Sequence, residues 1–528
     1  LVLFFFQAVF NYMIPDHKAD VFNPPHTTNI SNTFVSVLFD GLTNRWDAIY
    51  FIHIAEHSYT FENTLVFFPL FPLIVKLLTF SLFYPFTFFL SIRNVLQIVA
   101  VLINFILFIL SALTLYKFGL AVLKNEHLSY RAAQLFCVNP ASIFFSAAYS
   151  ESLFSLLTFA GLLKLQSNKV LHASILFGLS AATRSNGLVN MGFIVYYFLH
   201  FHLKAILKFD LSFCHNLLLF FIYIFLCCSW FIFYQLFAYI IYCEVNKSHF
   251  KNLITNELRN YGKEKGYFTL GDSPSPPWCK LTVPISYSSI QNSHWNLGFL
   301  KYYQVKQLPN FFLASPMLFI CFYLVLTYFK NRFYRSVFLE MMPRCLIKKL
   351  TNDYELKSKY SLHDVTKKEI LVHVCHIFFL TIFALFFMHI QVITRLICSS
   401  CPVVYWFLAQ KSITQEEKIA IAMWKENIND DQFKNSSVFD VCGKDICKST
   451  VENNHSRYRS TTTIIKKVKV NKQKLNSLHE RTKVITDTLT ESELINWNES
   501  LFNKFFSAYT HIYLFVGVAA FCNFFPWT

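Results

Sequence analysis

Long apolar blocks separated by polar stretches dominate the chain. Residues 65–90, 95–116, 132–163, 170–200, 211–243, 310–329, 368–393 and 505–525 each reach the roughly 20 residues that a helix needs to cross a bilayer. None shows the alternating strands of about 10 residues that mark a transmembrane β-barrel. The pattern predicts an all-α polytopic membrane protein, a bundle of many transmembrane helices. The opening "LVLFFFQAVFNYMI" starts on Leu1 and reads as the second half of a further membrane helix. It has neither a basic n-region nor an A-x-A cleavage site, so the expectation is a sequence truncated at its start.

Polar stretches set the expected organisation. Residues 330–368 carry ten basic residues in 39, from Lys330 to Lys368, and the positive-inside rule places loop 330–367 in the cytoplasm. A single crossing by 310–329 then puts loop 244–309 on the opposite side, and a first helix entering from the cytoplasm puts loop 15–64 there too. Both placements require an even number of crossings between 64 and 244, where five apolar blocks occur. The expected extra break lies in 132–163, which holds Asn139-Pro140 and then Tyr149-Ser150-Glu151, as suits broken helices lining a cavity. Residues 1–410 thus form the multi-pass region. Residues 411–504 read as a polar, flexible insertion, and 505–528 as a final membrane helix.

Composition agrees: 54% hydrophobic, 62 Phe, 15% charged, mean hydropathy +0.38. The net charge of +16 is scattered among apolar blocks, which argues against nucleic-acid binding and for cytoplasmic loops and headgroups. The 14 Cys show no paired zinc spacing. Cys279 and Cys442/Cys447 are placed to form disulfides if their loops face an oxidising lumen. N-glycosylation triplets begin at Asn29, Asn246, Asn435, Asn454 and Asn498, each a weak signal.

The candidate chemistry starts at "HIAEH" (53–57), which matches the inverted zinc-protease pattern H-x-x-E-H. On a helix over 45–57, Trp46, Tyr50, His53 and His57 fall within a sector of about 60°, with Asp47 at its edge. That predicts an amphipathic helix lying in the membrane interface. A zinc site needs a further ligand. Glu62 is nearby, but no second helix presents one, so no metal is expected. The other readings are an interfacial helix with two satisfied histidines, or a glycosyl-transfer site with Asp47 as base.

Longer stretches carry a resemblance. "FNYMIPDHKADVFNPP" (10–25), "RWDAIYFIHIAEHSY" (45–59), "FFPLFPL" (67–73), "NPASIFFSAAYSESLFSLLTF" (139–159), "TRSNGLV" (183–189), "PPWCKLTVPISYSSIQNSHWNLGFLKYYQVKQLPNFFLASP" (276–316), "VVYWF" (403–407) and "CNFFPWT" (522–528) occur in order. In these the chain resembles the PIG-V family of GPI mannosyltransferases. The segments 340–366 and 411–504 depart from it.

The resemblance implies a GT-C-like bundle in the endoplasmic reticulum membrane, with the active site on lumenal loops. It also implies α-1,6 transfer of the second mannose, with inversion, from dolichyl-phosphate-mannose to the mannosyl-glucosaminyl-phosphatidylinositol acceptor lipid. No cofactor beyond the donor is implied, and the need for an accessory subunit stays open. Inverting transfer requires a base for the acceptor hydroxyl and positive charge for the leaving phosphate. Among the first loop's aspartates (Asp16, Asp20, Asp40 and Asp47), Asp47 follows Trp46, a platform for a sugar face. It is the expected catalytic residue, with Trp46, Tyr50 and His53 beside it. Arg184, helped by Ser185 or Asn186, is either a phosphate ligand or a helix-end arginine reaching headgroups. Glu151 is either an acceptor contact or the partner of a buried arginine. Trp278, with Trp295 and Tyr302, either caps the sugar or belongs to an aromatic belt. The alternatives from other classes are a lipid transporter and a non-catalytic subunit of a glycosyltransferase complex.

Overall fold

The computed structural model describes residues 2–17, 21–25, 33–208, 211–244, 254–332, 368–412 and 490–525. Asp20, most of loop 330–367, most of 411–504, Cys442/Cys447 and the triplets at Asn29, Asn246, Asn435 and Asn454 lie outside them. The chain divides into a main unit, residues 1–410 with 508–528, and a second unit, 411–507. Of the second unit, the described part is Lys411–Ser412 and the start of the helix Thr490–Cys522.

The main unit is helical, and its only bridge among the described residues is the isolated antiparallel pair Phe61–Thr269. Among the described residues, four helical stretches are long and apolar enough to span a membrane: Ile92–Leu123, Cys214–Cys243, Val305–Lys330 and Phe502–Cys522. A fifth span is broken, the pair Ile390–Ser400 and Pro402–Ser412 bent by 83°. The helix Ile92–Leu123 leaves Leu102, Phe105, Ile106, Ile109, Leu110 and Leu113 exposed, an apolar stripe suited to lipid. Its opposite side packs on the helices Glu126–Cys137 and Glu151–Gln166. Ser91 caps its start by accepting from the Asn94 N–H, and Asn125 does the same for the next helix through Leu128. Each such cap is worth about 1 kcal/mol.

The block 132–163 is broken where Asn139-Pro140 stands. Helices Glu126–Cys137, Ser142–Ser146 and Glu151–Gln166 replace one long span. Proline cannot donate to a helix ladder, and Asn139 stands in: its Nδ2 donates to the Phe136 carbonyl (2.6 Å) and its Oδ1 accepts from Ala141 (2.8 Å). The segment between the second and third pieces is held from the neighbouring span. Buried Asn104 donates to the carbonyls of Ala147 and Tyr149 (2.8 Å to the latter). Carbonyls at membrane depth need such internal partners, because no bulk water reaches them.

Two loops expected on one side are joined. The Glu62 N–H donates to the Phe268 carbonyl (3.0 Å) and the Leu270 N–H to the Thr60 carbonyl (2.9 Å). Cys243 and Cys279 form a disulfide at the base of the larger loop, so Cys279 pairs with the end of a membrane helix. The helix Asp47–His57 departs from expectation: it is not an interfacial helix with an open polar face. Its Ala48, Ile49, Phe51, Ile52, His53, Ile54 and Ala55 are all buried. Phe22 from the chain before it and Phe61 from the turn after it close over the face that the helical wheel left polar.

Candidate active site

Four charged side chains meet where helices start or stop. Asp47 opens Asp47–His57, Glu151 opens Glu151–Gln166, Arg184 follows Val170–Thr183, and Arg395 sits in the first turn of Ile393–Ser400. Both carboxylates occupy helix N-termini, where the peptide dipoles favour negative charge. Arg395 Nη1 lies 2.7 Å from Asp47 Oδ2 and 3.8 Å from Glu151 Oε1, and Arg184 pairs with the same Glu151 oxygen. The result is an alternating chain, Asp47–Arg395–Glu151–Arg184. Its middle is dry: the Glu151 side chain is 0% exposed, whereas Asp47 is 30% exposed. Asp47 is therefore the carboxylate of the two that a substrate can reach.

Tyr149 ties the centre together. Its hydroxyl accepts from the Asp47 N–H (3.1 Å), and the Arg395 guanidinium lies over its ring and that of Phe144, at 5.7 and 5.5 Å. Trp46, just before Asp47, has φ 48 and ψ −125, an uncommon conformation for a non-glycine residue that costs on the order of 1–3 kcal/mol. Trp46 Nε1, Glu151 Oε2 and Arg395 Nε are buried without a protein hydrogen-bond partner. Such orphans are rare in folded proteins, and three of them share this site.

The turn "TRSNG" is fixed by its own contacts. Ser185 shares a hydrogen bond with the Tyr287 hydroxyl (2.7 Å), and Asn186 Nδ2 donates to Ser400 Oγ (3.1 Å), at the end of the helix that bears Arg395. Gly187 passes so close to the preceding helix that a Cβ would lie 2.4 Å from the Ala181 nitrogen, so only glycine fits. Arg184 points inward to Glu151, not outward to headgroups, and Glu151 is thus the partner of buried arginines.

The other residues singled out in the sequence are held elsewhere. Tyr50 is sandwiched between Phe22 (4.2 Å, 11°) and Phe67 (4.3 Å, 18°), so both ring faces are covered. His53 Nε2 is 2.6 Å from Thr60 Oγ1, and its ring stacks on Phe61. Glu56 pairs with Arg93 (3.0 Å) and lies 3.6 Å from His57. Burial pushes the His57 imidazole below its usual value, against the pull of Glu56. Trp278 is buried and donates to Glu62 Oε2 (3.1 Å), whose other oxygen meets His294 at 3.2 Å. Asp16 pairs with Arg45 (3.1 Å), and Asp40 accepts from Asn44 (2.7 Å). No group of three or more His, Cys, Asp or Glu is placed to hold a metal ion among the described residues.

Arg395 was not singled out in the sequence. It lies in "IQVITRLICSSCPVVYWFLA" (390–409), just beyond where the apolar block was ended at 393. The rule applied to Arg184, that an arginine within an apolar run is costly and so has a job, marks Arg395 equally. Asn104, an amide in the apolar middle of a 32-residue helix, carries the same kind of signal.

Comparisons with known proteins agree with this architecture. The family described as "Mannosyltransferase (PIG-V)" matches residues 1–528. The chain is 35% identical over 418 residues to the human protein named GPI alpha-1,6-mannosyltransferase 2, covering 78% of this chain and 81% of that one. The Cricetulus griseus protein of the same name gives 35% over 422 residues, with the same coverage. GPI mannosyltransferase 2 of Drosophila melanogaster gives 32% over 420 residues, 78% and 88% covered. No solved structure matches. With multiple membrane-spanning helices, an ionic chain ending in a reachable carboxylate, and a match over its full length, the chain belongs to the PIG-V mannosyltransferase family.

Proposed function

We propose that this protein transfers mannose in α-1,6 linkage from dolichyl-phosphate-mannose to the mannosyl-glucosaminyl-phosphatidylinositol precursor of the GPI anchor, at the lumenal face of the endoplasmic reticulum membrane. The observation that carries the reading is the ionic chain with Asp47 at its reachable end. Asp47 takes the proton from the acceptor hydroxyl as that oxygen bonds to the anomeric carbon. On the opposite face the bond from that carbon to the phosphate oxygen breaks, and dolichyl phosphate leaves with the electron pair. Arg395 links the two events. It neutralises Asp47 before the step, and once Asp47 is protonated its charge is free to stabilise the leaving phosphate. Arg184 adds to that field and keeps the buried Glu151 from standing uncompensated.

The disulfide Cys243–Cys279 supports the lumenal placement, because such bonds persist in oxidising compartments. The contacts between 60–62 and 268–270 support the same placement for the first loop. The test is complementation of cells blocked at the second GPI mannose, scored by surface GPI-anchored protein. Rescue by the wild-type chain and none by Asp47→Asn is the expected result. Rescue by both removes Asp47 as base.

A further inference from the structure

A recess lined by amide, lysine and aromatic residues plays no part in the mechanism above. It encloses about 270 Å³, and its walls include Trp295, Lys301, Tyr302, Lys306, His389 and Gln391, with no acidic residue among those lining it. The walls are built in place. His389 Nε2–H donates to the Trp295 carbonyl (2.8 Å), its ring lies 4.6 Å from that of Tyr302, and the Tyr302 hydroxyl both donates to Gln391 and accepts from Asn310 (2.7 Å). The recess adjoins the reaction centre along the chain, since His389 and Gln391 in its walls stand just before the helix Ile393–Ser400 that bears Arg395. The floor is the start of the membrane span Val305–Lys330, whose Val305, Leu308 and Phe312 are exposed apolar groups. Two lysines and several amides thus stand at the end of a membrane span, the region where lipid phosphates lie.

We infer that this recess holds the phosphodiester of the acceptor glycolipid. Lys301 and Lys306 face the phosphate, and Gln391 and Trp295 face the polyol ring attached to it. The inference rests on the acceptor proposed above. The donor phosphate is bonded to the carbon under attack, so the arginines beside Asp47 are its seat, and the lysine-lined recess is left for the other phosphate. The acceptor phosphate is separated from the reacting hydroxyl by an inositol and two further sugars, and so needs a second cationic seat. The volume is just below the roughly 300–1,000 Å³ of ordinary small-molecule pockets. It suits one phosphorylated ring rather than a whole glycan.

The test uses detergent-purified full-length protein and two lipid-free probes: mannosyl-glucosaminyl-inositol carrying a methyl phosphodiester, and the same glycan without phosphate. Wild type should bind the phosphorylated probe about tenfold or more tightly than the other. The double variant K301Q/K306Q should bring that ratio close to one, and K301R/K306R should keep most of it. In transfer assays the double Gln variant should raise the acceptor KM and leave the donor KM unchanged. Equal binding of the two probes by wild type overturns the inference. So does a raised donor KM, or a failure of excess plain phosphatidylinositol to displace the probe. Binding is also measured in Asp47→Asn protein, so a preparation that fails to transfer mannose still reports on the recess.

Discussion

Asp47 joins an open carboxylate to a buried charge balance. Asp47→Asn keeps the size of the side chain and removes the base. A positioned base contributes roughly 10²–10⁴-fold, and transfer from labelled dolichyl-phosphate-mannose should fall in that range at matched protein level. His53→Ala and His57→Ala should be milder, since His53 is engaged with Thr60 and His57 lies against Glu56. EDTA should leave the rate intact, because Arg93 and Arg45 occupy Glu56 and Asp16. A dead His53→Ala enzyme alongside an active Asp47→Asn enzyme would reverse the assignment. Arg184 is tested with its partner. Arg184→Met alone takes the hydrogen-bonded cation from a fully buried carboxylate and leaves it only Arg395 at 3.8 Å, at a cost of up to about 3–5 kcal/mol. Arg184→Met/Glu151→Leu removes both charges and should recover folding, read as thermal stability in detergent. If transfer stays roughly 10- to 150-fold down in the double variant, Arg184 also serves the phosphate. If transfer recovers with folding, its role is confined to balancing Glu151.

His389 adds a pH dependence. Burial lowers its pKa from 6.5, Arg395 lowers it further, and Asp47 and the Trp295 carbonyl act in the opposite sense. The unfolded chain therefore binds the proton first as pH falls. Stability from the neutral imidazole is present above pH 6.5 and is lost as pH drops from there through the folded-state value. The thermal inactivation midpoint should fall below pH 6.5, and fall less in His389→Gln. An equal slope in both proteins would remove His389 from the account.

Among the elements, the decisive feature is the break between Cys137 and Glu151. Proline ends one helix, and Asn104 from another helix satisfies the carbonyls of the segment that presents Tyr149 and Glu151. Asn104→Leu keeps the apolar character of the span but leaves two buried carbonyls without their donor, at about 1–3 kcal/mol each. Transfer should drop with Asp47 and both arginines intact, and protease susceptibility between 137 and 151 should rise. Unchanged susceptibility together with unchanged rate would show that the segment holds itself. The same logic explains why most of the helix Asp47–His57 is buried, with Asp47 left partly exposed at its start. Phe22 and Phe61 close over its aromatic face, and a helical wheel has no term for neighbours supplied by the loops around it.

For the whole molecule, the first loop, the larger loop and the broken span converge on one end. The disulfide Cys243–Cys279 closes a 36-residue separation, and on the chain-entropy view such a closure is worth about 4 kcal/mol. Cys279→Ala should therefore lower the thermal inactivation midpoint. In intact microsomes, a thiol reagent that cannot cross the membrane should label Cys243 of that variant only after the lumen is opened. Labelling from the cytoplasmic side would invert the orientation. The family match favours the enzyme over the transporter and the non-catalytic subunit, and a loss of transfer in Asp47→Asn would separate them directly.

The sequence by itself determined the membrane class, the break at Asn139-Pro140 and the family. Each is written in local order: an apolar run, a proline, a string of motifs. The tertiary structure alone decided who faces whom. It paired Asp47 with an arginine 348 positions away. It turned Arg184 toward Glu151, buried Tyr50 and Trp278 among aromatic and acidic partners, and bonded Cys279 to Cys243. Charge pairing inside a bundle depends on which helix ends meet, and composition holds no record of that. The reason is physical: a buried carboxylate tolerates only a nearby cation. The fold selects which arginine supplies it, and the sequence shows only that arginines are present.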